Sequence, residues 1–203
     1  MAILGLVLAA GAGTRMGQPK ALVADRHGQT WLARSVEALQ EGGVETVYAV
    51  VGASANEVRA AAPAGCHLVD ALDWAEGMGA SLRAGMAALQ GKHPAAEALL
   101  LMLVDTPGVG SQVIRRVTAS ASAVSLVRAS YDGKPGHPVL IGRAHWAAVR
   151  AGSQGDAGAR GYLDSASVAM VECGDLGSGD DVDTPEALSR WLQAEAPSGT
   201  YLG

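Results

Sequence analysis

The chain has 203 residues, 49% of them apolar and 17% charged, with a formal net charge of −5. That length and composition suit a single globular domain with a sizeable core and exclude a disordered chain. The acidic balance argues against duplex nucleic acid as a partner, since such binding needs a basic face.

Other broad features narrow the class further. Aromatic residues are sparse and Phe is absent, so Ala- and Val-rich packing must fill the core. Cys66 and Cys173 lie far apart in apolar contexts and form no Cys-x-x-Cys pair, which predicts two buried core thiols and no zinc or redox motif. The apolar N-terminus has no basic leader, and no apolar run approaches the roughly 20 residues of a membrane helix. The expectation is a cytoplasmic protein with no membrane and no nucleic-acid partner.

The predicted elements begin with a buried strand over 3–9, a continuous apolar run that a Gly-rich loop closes. A helix follows over 30–41, with Leu32, Val36 and Leu39 on one face, and Gly42-Gly43 ends it. A second strand spans 44–51. Ser54-Ala-Asn-Glu57 reads as a capping box that opens a short helix, which Pro63 stops. A short strand at 66–69 leads to a helix at 81–90 carrying Leu82, Met86 and Leu89 at helical spacing. An apolar strand over 99–104 then ends on Asp105.

The second half is less regular. Strands are expected at 123–129, 139–141 and 168–172, and helices at 144–150 and 159–163, with a turn-rich loop at 131–138. An acidic, Gly-rich loop at 174–183 precedes a last helix, with Thr184 as N-cap and Pro185 at its first position. The alternation of strands and helices predicts a three-layer α/β/α sandwich, Rossmann-like, around a mostly parallel sheet. Ligands of such folds gather at the carboxyl ends of the strands, where the Gly-rich loop and Asp105 both sit. One domain over 1–196 and a C-terminal tail at 197–203 account for the chain.

The loop Leu8-Ala-Ala-Gly-Ala-Gly-Thr-Arg-Met-Gly-Gln-Pro-Lys20 carries the chemistry. It is not a dinucleotide fingerprint, because Met16 stands where the third glycine belongs and Gly17 comes one residue late. It is not a Walker loop either, because Gly17 is followed by Gln18-Pro19. Three glycines nevertheless let the backbone fold tightly around an anion, and Arg15 and Lys20 add two cations.

At this point the loop resembles the Leu-Ala-Ala-Gly-x-x-x-Arg-Met-Gly-x-x-Lys signature of the MobA-like nucleotidyltransferase superfamily. Further segments match in order: Trp74-Ala-Glu-Gly-Met-Gly-Ala-Ser-Leu-Arg-Ala-Gly85, Leu103-Val-Asp-Thr-Pro107, Gly136-His-Pro-Val-Leu-Ile-Gly-Arg143, Gly155-Asp-Ala-Gly-Ala-Arg160 and Asp181-Val-Asp-Thr-Pro-Glu186. Together they cover about residues 3–192, and within the superfamily they are most similar to molybdenum cofactor cytidylyltransferases. The fold so implied is of the nucleotide-diphospho-sugar transferase type.

The resemblance implies roles residue by residue. Leu8, Ala9, Ala10, Gly11, Gly13, Arg15, Lys20, Ser81 and Asp105 would bind the nucleotide, with Arg15, Lys20 and Asp105 catalytic. Lys20 would neutralise the α- and β-phosphates, and Arg15 would hold the leaving pyrophosphate. Ala9-Ala10, where guanylyl-transferring relatives tend to carry Gly-Gly, favours CTP. Asp105 and Asp183 would hold Mg²⁺, a hard cation that takes one or two carboxylates plus phosphate oxygens. Asp181 is the weaker metal candidate. His137, Asp156 and Arg160 would face the acceptor, although His137 reads equally as a structural hydrogen-bonder and Ser81 equally as a helix cap. Trp74 lies nearer the site than the packing residues Trp31, Trp146 and Trp191.

The implied reaction is CMP transfer from CTP to a molybdopterin-type acceptor, with a molybdenum hydroxylase receiving the product. A phosphate monoester is already a nucleophile, which agrees with the lack of a Ser-His-Asp or Cys-His arrangement. Other readings stay open: cytidylyl, uridylyl or guanylyl transfer to a sugar or polyol phosphate, a non-catalytic carrier of a pterin cofactor, and, more distantly, a NAD-dependent oxidoreductase. In Val104-Asp-Thr-Pro107 the residues flanking Asp105 depart from the commonest pattern of such enzymes, so the acceptor contacts stay open.

Overall fold

The computed structural model describes residues 2–195. The expected domain end at 196 and the tail at 197–203 lie outside the described residues.

Seven strands form one sheet: β1 (Ile3–Leu8), β2 (Thr46–Val51), β3 (Cys66–Asp70), β4 (Ala98–Leu103), β5 (Leu126–Tyr131), β6 (Lys134–Gly142) and β7 (Ala169–Glu172). Their order is β3-β2-β1-β4-β6-β5-β7. The pairs β1–β2, β1–β4, β2–β3 and β5–β7 are parallel, and only β6 runs against its neighbours. The mostly parallel sheet is therefore as expected.

Among the described residues, seven α-helices cover the two faces: α1 (Trp31–Glu41), α2 (Ala55–Ala61), α3 (Met78–Lys92), α4 (Ser111–Thr118), α5 (Trp146–Gly152), α6 (Arg160–Ser165) and α7 (Pro185–Ala194). One apolar cluster joins Val7, Leu100 and Met102 of the sheet to Leu32 and Leu39 of α1 and to Val113, Ile114 and Val117 of α4. The other joins Leu6, Leu99 and Leu101 to Leu82, Met86 and Leu89 of α3, to Trp146 and Val149 of α5 and to Leu163 of α6. Successive strand residues thus feed opposite faces, and the sheet is packed on both sides. Helix α3 approaches closely: a Cβ on Gly85 would lie 2.8 Å from Leu6 Cδ1 and 2.8 Å from Val50 Cγ2.

The structure departs from the sequence reading at several points. Residues 131–138 are not a loop. Asp132 and Gly133 both have positive φ, 50° and 74°, and make a two-residue hairpin between β5 and β6. Such a turn matches the twist of paired strands, so Asp-Gly between extended runs is a hairpin signal that the turn-rich composition concealed. Pro135 is tolerated because this end of β6 pairs with β5 alone, while β4 pairs only with residues 139–142. The eight-residue helix α4 has no counterpart in the sequence reading, its short apolar set being interrupted by Arg115 and Arg116.

Ser54 makes no side-chain cap bond, so no capping box opens α2. Helix α3 begins three residues before the predicted start, with Gly77 (φ 110°) as its N-cap, so Ser81 lies within the helix and does not cap it. At the last helix the expectation holds, since the Thr184 hydroxyl accepts from the Ala187 N–H at 3.2 Å and Pro185 follows it. Cys173 is buried, but Cys66 sits half-buried on the edge strand β3, its thiol pushed up to about 11 by burial. Trp31 and Trp146 are core residues, and Trp191 packs edge-on against Trp31 at 5.8 Å.

Candidate active site

The chain leaves β1 at Leu8 and turns at once. Gly13 (φ 62°) and Gly17 (φ 71°) bracket a single 3-10 turn, Thr14–Met16. A Cβ on Gly13 would fall 1.9 Å from the Gln18 carbonyl oxygen, so only glycine fits this fold of the loop. Pro19 then leads into a second turn, Lys20–Leu22, which aims Lys20 back beneath the loop.

Lys20 is the centre of the site. Its ammonium donates to Asp105 Oδ2 at 2.6 Å and also to Asp183 Oδ1, residues 85 and 163 positions away. Burial pulls the Lys20 ammonium down, but the two carboxylates together hold it above its ordinary value. Asp183 is held below the ordinary carboxylate range, chiefly by the Lys20 hydrogen bond, with Arg15 adding to the effect. Asp181 faces the opposite way energetically: burial and the neighbouring charges of Asp105 and Asp183 push it up to about 6. Asp180 belongs to the exposed acidic loop and bonds to Ser178.

Two tethers hold the carboxylates in place. The Asp105 carbonyl accepts from the Val182 N–H at 2.9 Å, which pins the acidic loop to the end of β4. Arg34 on α1 donates to the Pro107 carbonyl at 2.8 Å and ties down the chain just past Asp105. Asp105 Oδ1 is buried with no hydrogen-bond partner among the described residues, an expensive state for a carboxylate oxygen.

A cavity of about 450 Å³ lies above this cluster, within the size range of small-molecule sites. Leu8, Ala9, Ala10, Gly11, Gly13, Arg15, Lys20, Ser81 and Asp105 all line it, so every expected nucleotide-binding residue meets there. Asp183 is not on its wall and reaches the site through Lys20 and Arg15. Arg15 is 71% exposed and 3.5 Å from Asp183, a solvent-screened contact that leaves its guanidinium available. Trp74 lines the cavity as expected, packed where a Cβ on Gly52 would come within 2.7 Å of it. The backbone at Ala9 and Ala10 is already partly used: the Ala9 N–H donates to Val50 and the Ala10 carbonyl accepts from Ala53, both at 3.0 Å. The Ala9 carbonyl and the Ala10 N–H have no hydrogen-bond partner among the described residues.

Thr14, Ala75, Gly77 and Met78 also line this cavity and were not singled out from the sequence. Arg83, by contrast, turns away. It donates to the Ser153 carbonyl at 2.6 Å and pairs with Glu76, fastening α3 to the loop that carries Asp156.

A smaller cavity of about 200 Å³ adjoins the first, with Leu8, Met78, Leu103 and Asp156 common to both. His137, Asp156 and Arg160, the expected acceptor-side residues, meet in it together with Asp181 and Arg128. His137 is pushed down to about 4, by burial first and then by the positive charges of Arg128 and Arg160, so it is a neutral imidazole near pH 7. Arg128 has no motif to mark it in the sequence.

Among the described residues no three His, Cys, Asp or Glu side chains are arranged to hold a metal by themselves. Asp105 and Asp183 are a two-carboxylate set, which is what Mg²⁺ or Mn²⁺ needs when phosphate oxygens complete its shell. The unpartnered Asp105 Oδ1 fits that use.

Comparison with known proteins places the chain in a family. Residues 5–170 match the MobA-like NTP transferase domain. A protein named nicotine blue oxidoreductase, from Paenarthrobacter nicotinovorans, is 36% identical over 201 residues, covering 94% of this chain and 96% of its own. The crystal structure of Rv0371c from Mycobacterium tuberculosis H37Rv superposes with a TM-score of 0.80 at 30% identity, over 95% of this chain and 98% of that one. A manganese complex of Rv0371c gives a TM-score of 0.77 at 29% identity, over 96% and 100% of the two chains. No helix among the described residues is long and apolar enough to cross a membrane. The fold is that of the nucleotide-diphospho-sugar transferases, and the chain belongs to the family of the MobA-like NTP transferase domain.

Proposed function

We propose that this nucleotidyltransferase moves CMP from CTP to the phosphate of a molybdopterin-type acceptor, releasing pyrophosphate, and does so in the cytoplasm to supply a molybdenum hydroxylase. The observation that carries the transferase chemistry is Lys20, held between Asp105 and Asp183 beneath a glycine-built anion loop.

An acceptor phosphate oxygen attacks the α-phosphorus of CTP in line. A new P–O bond forms as the bond to the β-phosphate breaks, and pyrophosphate leaves with that electron pair. The nucleophile needs no base, so the chain's work is placement and charge neutralisation. Lys20 faces the α- and β-phosphates, and the exposed Arg15 closes on the leaving pyrophosphate. The Ala9 carbonyl and Ala10 N–H offer one acceptor and one donor to the base edge, and the Ala9-Ala10 methyls favour a pyrimidine. Asp105 and Asp183 are the residues that would hold a divalent cation, Mg²⁺ in this reading. Such an ion supplies charge stabilisation at the phosphates. The manganese complex of Rv0371c supports a divalent-metal site in this fold.

The test is pyrophosphate release from each of the four NTPs with Mg²⁺ and purified molybdopterin cofactor, beside Asp105→Ala and a sample without acceptor. Release with CTP that needs both acceptor and Asp105 is the expected result. Release with GTP alone overturns the choice of base. No release from any nucleotide, together with consumption of NADH or NADPH in the presence of a redox dye, replaces the transfer reading with the reaction class for which the Paenarthrobacter relative is named.

A further inference from the structure

The smaller cavity holds two arginines, Arg128 and Arg160, that pair directly with no carboxylate among the described residues. Arg128 lies on β5 one pleat from Leu126, so its side chain leaves the sheet on the face covered by α3, α5 and α6. Its Nε donates to the Gly136 carbonyl at 3.0 Å, which fixes the plane of the guanidinium. Its two terminal nitrogens have no partner among the described residues, and it forms no ion pair. Arg160, the first residue of α6, is solvent-exposed at the cavity wall and likewise has no hydrogen bond or ion pair from its side chain among the described residues. Asp156 and Asp181 line the same space, yet neither pairs with Arg128 or Arg160. Burial pulls the Arg128 guanidinium below its ordinary value, and the charge of Arg160 adds to that despite opposition from Asp164.

Half-burying one unpaired guanidinium beside a second is costly unless an anion completes the arrangement. The neutral His137 adds a hydrogen-bonding group without competing for that anion. The remaining walls include Leu82, Leu101 and Leu163, so the charged end faces an apolar floor. At about 200 Å³ the cavity is smaller than the roughly 300–1,000 Å³ of whole-ligand sites, and it opens into the nucleotide cavity through shared walls. It therefore suits one end of a ligand lying across both.

We propose that Arg128, with Arg160, clamps the phosphate dianion of the acceptor, so that this site selects apolar-bodied phosphate monoesters over neutral sugars and polyols. The proposal rests on the transferase reading for its kinetics but not for its binding. Arg128 is then a positioning and specificity residue, and a planar guanidinium is the fitting group because it can meet two phosphate oxygens at once.

Titration calorimetry with inorganic phosphate on wild type, Arg128→Met, Arg160→Met and Lys20→Met tests the clamp directly. Steady-state kinetics with CTP and molybdopterin tests its use. Arg128→Met is expected to weaken phosphate binding and raise the acceptor KM by about tenfold or more, with the KM for CTP unchanged and the melting temperature not lowered. Arg128→Lys should recover part of the loss, and phosphate should compete with the acceptor in wild type but no longer do so in Arg128→Met. Unaltered phosphate affinity in Arg128→Met and Arg160→Met, with loss only in Lys20→Met, would place the anion solely in the nucleotide loop and overturn the clamp. Should no nucleotide be turned over, the transferase reading fails, and the calorimetry alone still upholds or overturns the clamp.

Discussion

Lys20 and Asp105 form a 2.6 Å charge-assisted hydrogen bond in which the ammonium is shared with Asp183. The lysine offsets two converging carboxylates. In the proposed reaction, phosphate oxygens of a triphosphate would compete for the same ammonium. Lys20→Met removes this cation, and Asp105→Asn removes one of its anchors. Each is expected to lower pyrophosphate release by about 100-fold or more, the scale of losing one preorganised electrostatic contact. Circular dichroism should show an unchanged fold, and a wild-type rate in either variant would contradict the assignment.

Two neighbouring glycines should behave differently. Gly13 combines a φ of 62° with a Cβ position 1.9 Å from the Gln18 carbonyl oxygen, whereas nothing lies within 4 Å of a Cβ on Gly11. Gly13→Ala should destabilise by about 1–3 kcal/mol through backbone strain and weaken nucleotide binding. Gly11→Ala should leave stability within about 0.5 kcal/mol. Urea midpoints of the two variants make the comparison.

Gly85 lets α3 sit close on the sheet. A methyl group there would meet Leu6 and Val50 at 2.8 Å. Gly85→Ala is expected to cost about 1–3 kcal/mol by overpacking, despite the better helix propensity of alanine. Thermal unfolding of the variant measures it.

Acid sensitivity should come from two groups, in adjoining pH windows that overlap narrowly near pH 4. His137 is depressed from 6.5 to about 4, by burial and then by Arg128 and Arg160. The unfolded chain thus binds the proton more readily, and this contribution is complete above 6.5 and lost as pH falls toward 4. His137→Gln should flatten the stability profile in that window, and Arg128→Met should move the His137 titration upward in an NMR experiment. Glu172 is depressed from 4.5 to about 2, first by the Ser130 hydroxyl and then by the N–H groups of Gly174, Gly133 and Asp132. Its contribution is present above 4.5 and is lost as pH falls toward 2, so Glu172→Gln should be less stable than wild type at neutral pH and converge with it in acid.

Some of this was legible in the chain itself. The strand before the Gly-rich loop, the apolar face of α3 and the capped start of α7 follow from local period and local hydrogen bonding, which a sequence displays directly. The tight glycine-rich loop was equally plain, because Gly13 and Gly17 take positive φ for reasons confined to a few residues. Asp105 stood out because it closes an apolar strand at the end where such folds bind ligands.

Tertiary structure decided the rest. That Lys20 meets Asp105 and Asp183, that Asp105 keeps one buried oxygen unpartnered, and that β6 runs against β4 all depend on which strands lie side by side. Arg128 is the sharpest case. Nothing about an arginine in an apolar strand reveals that its terminal nitrogens go without a partner among the described residues, because that depends on where α6 and the β5–β6 hairpin come to rest. Local pattern determines the elements and their caps. Partnership between charges distant in sequence is set by sheet order and packing, which no local window contains.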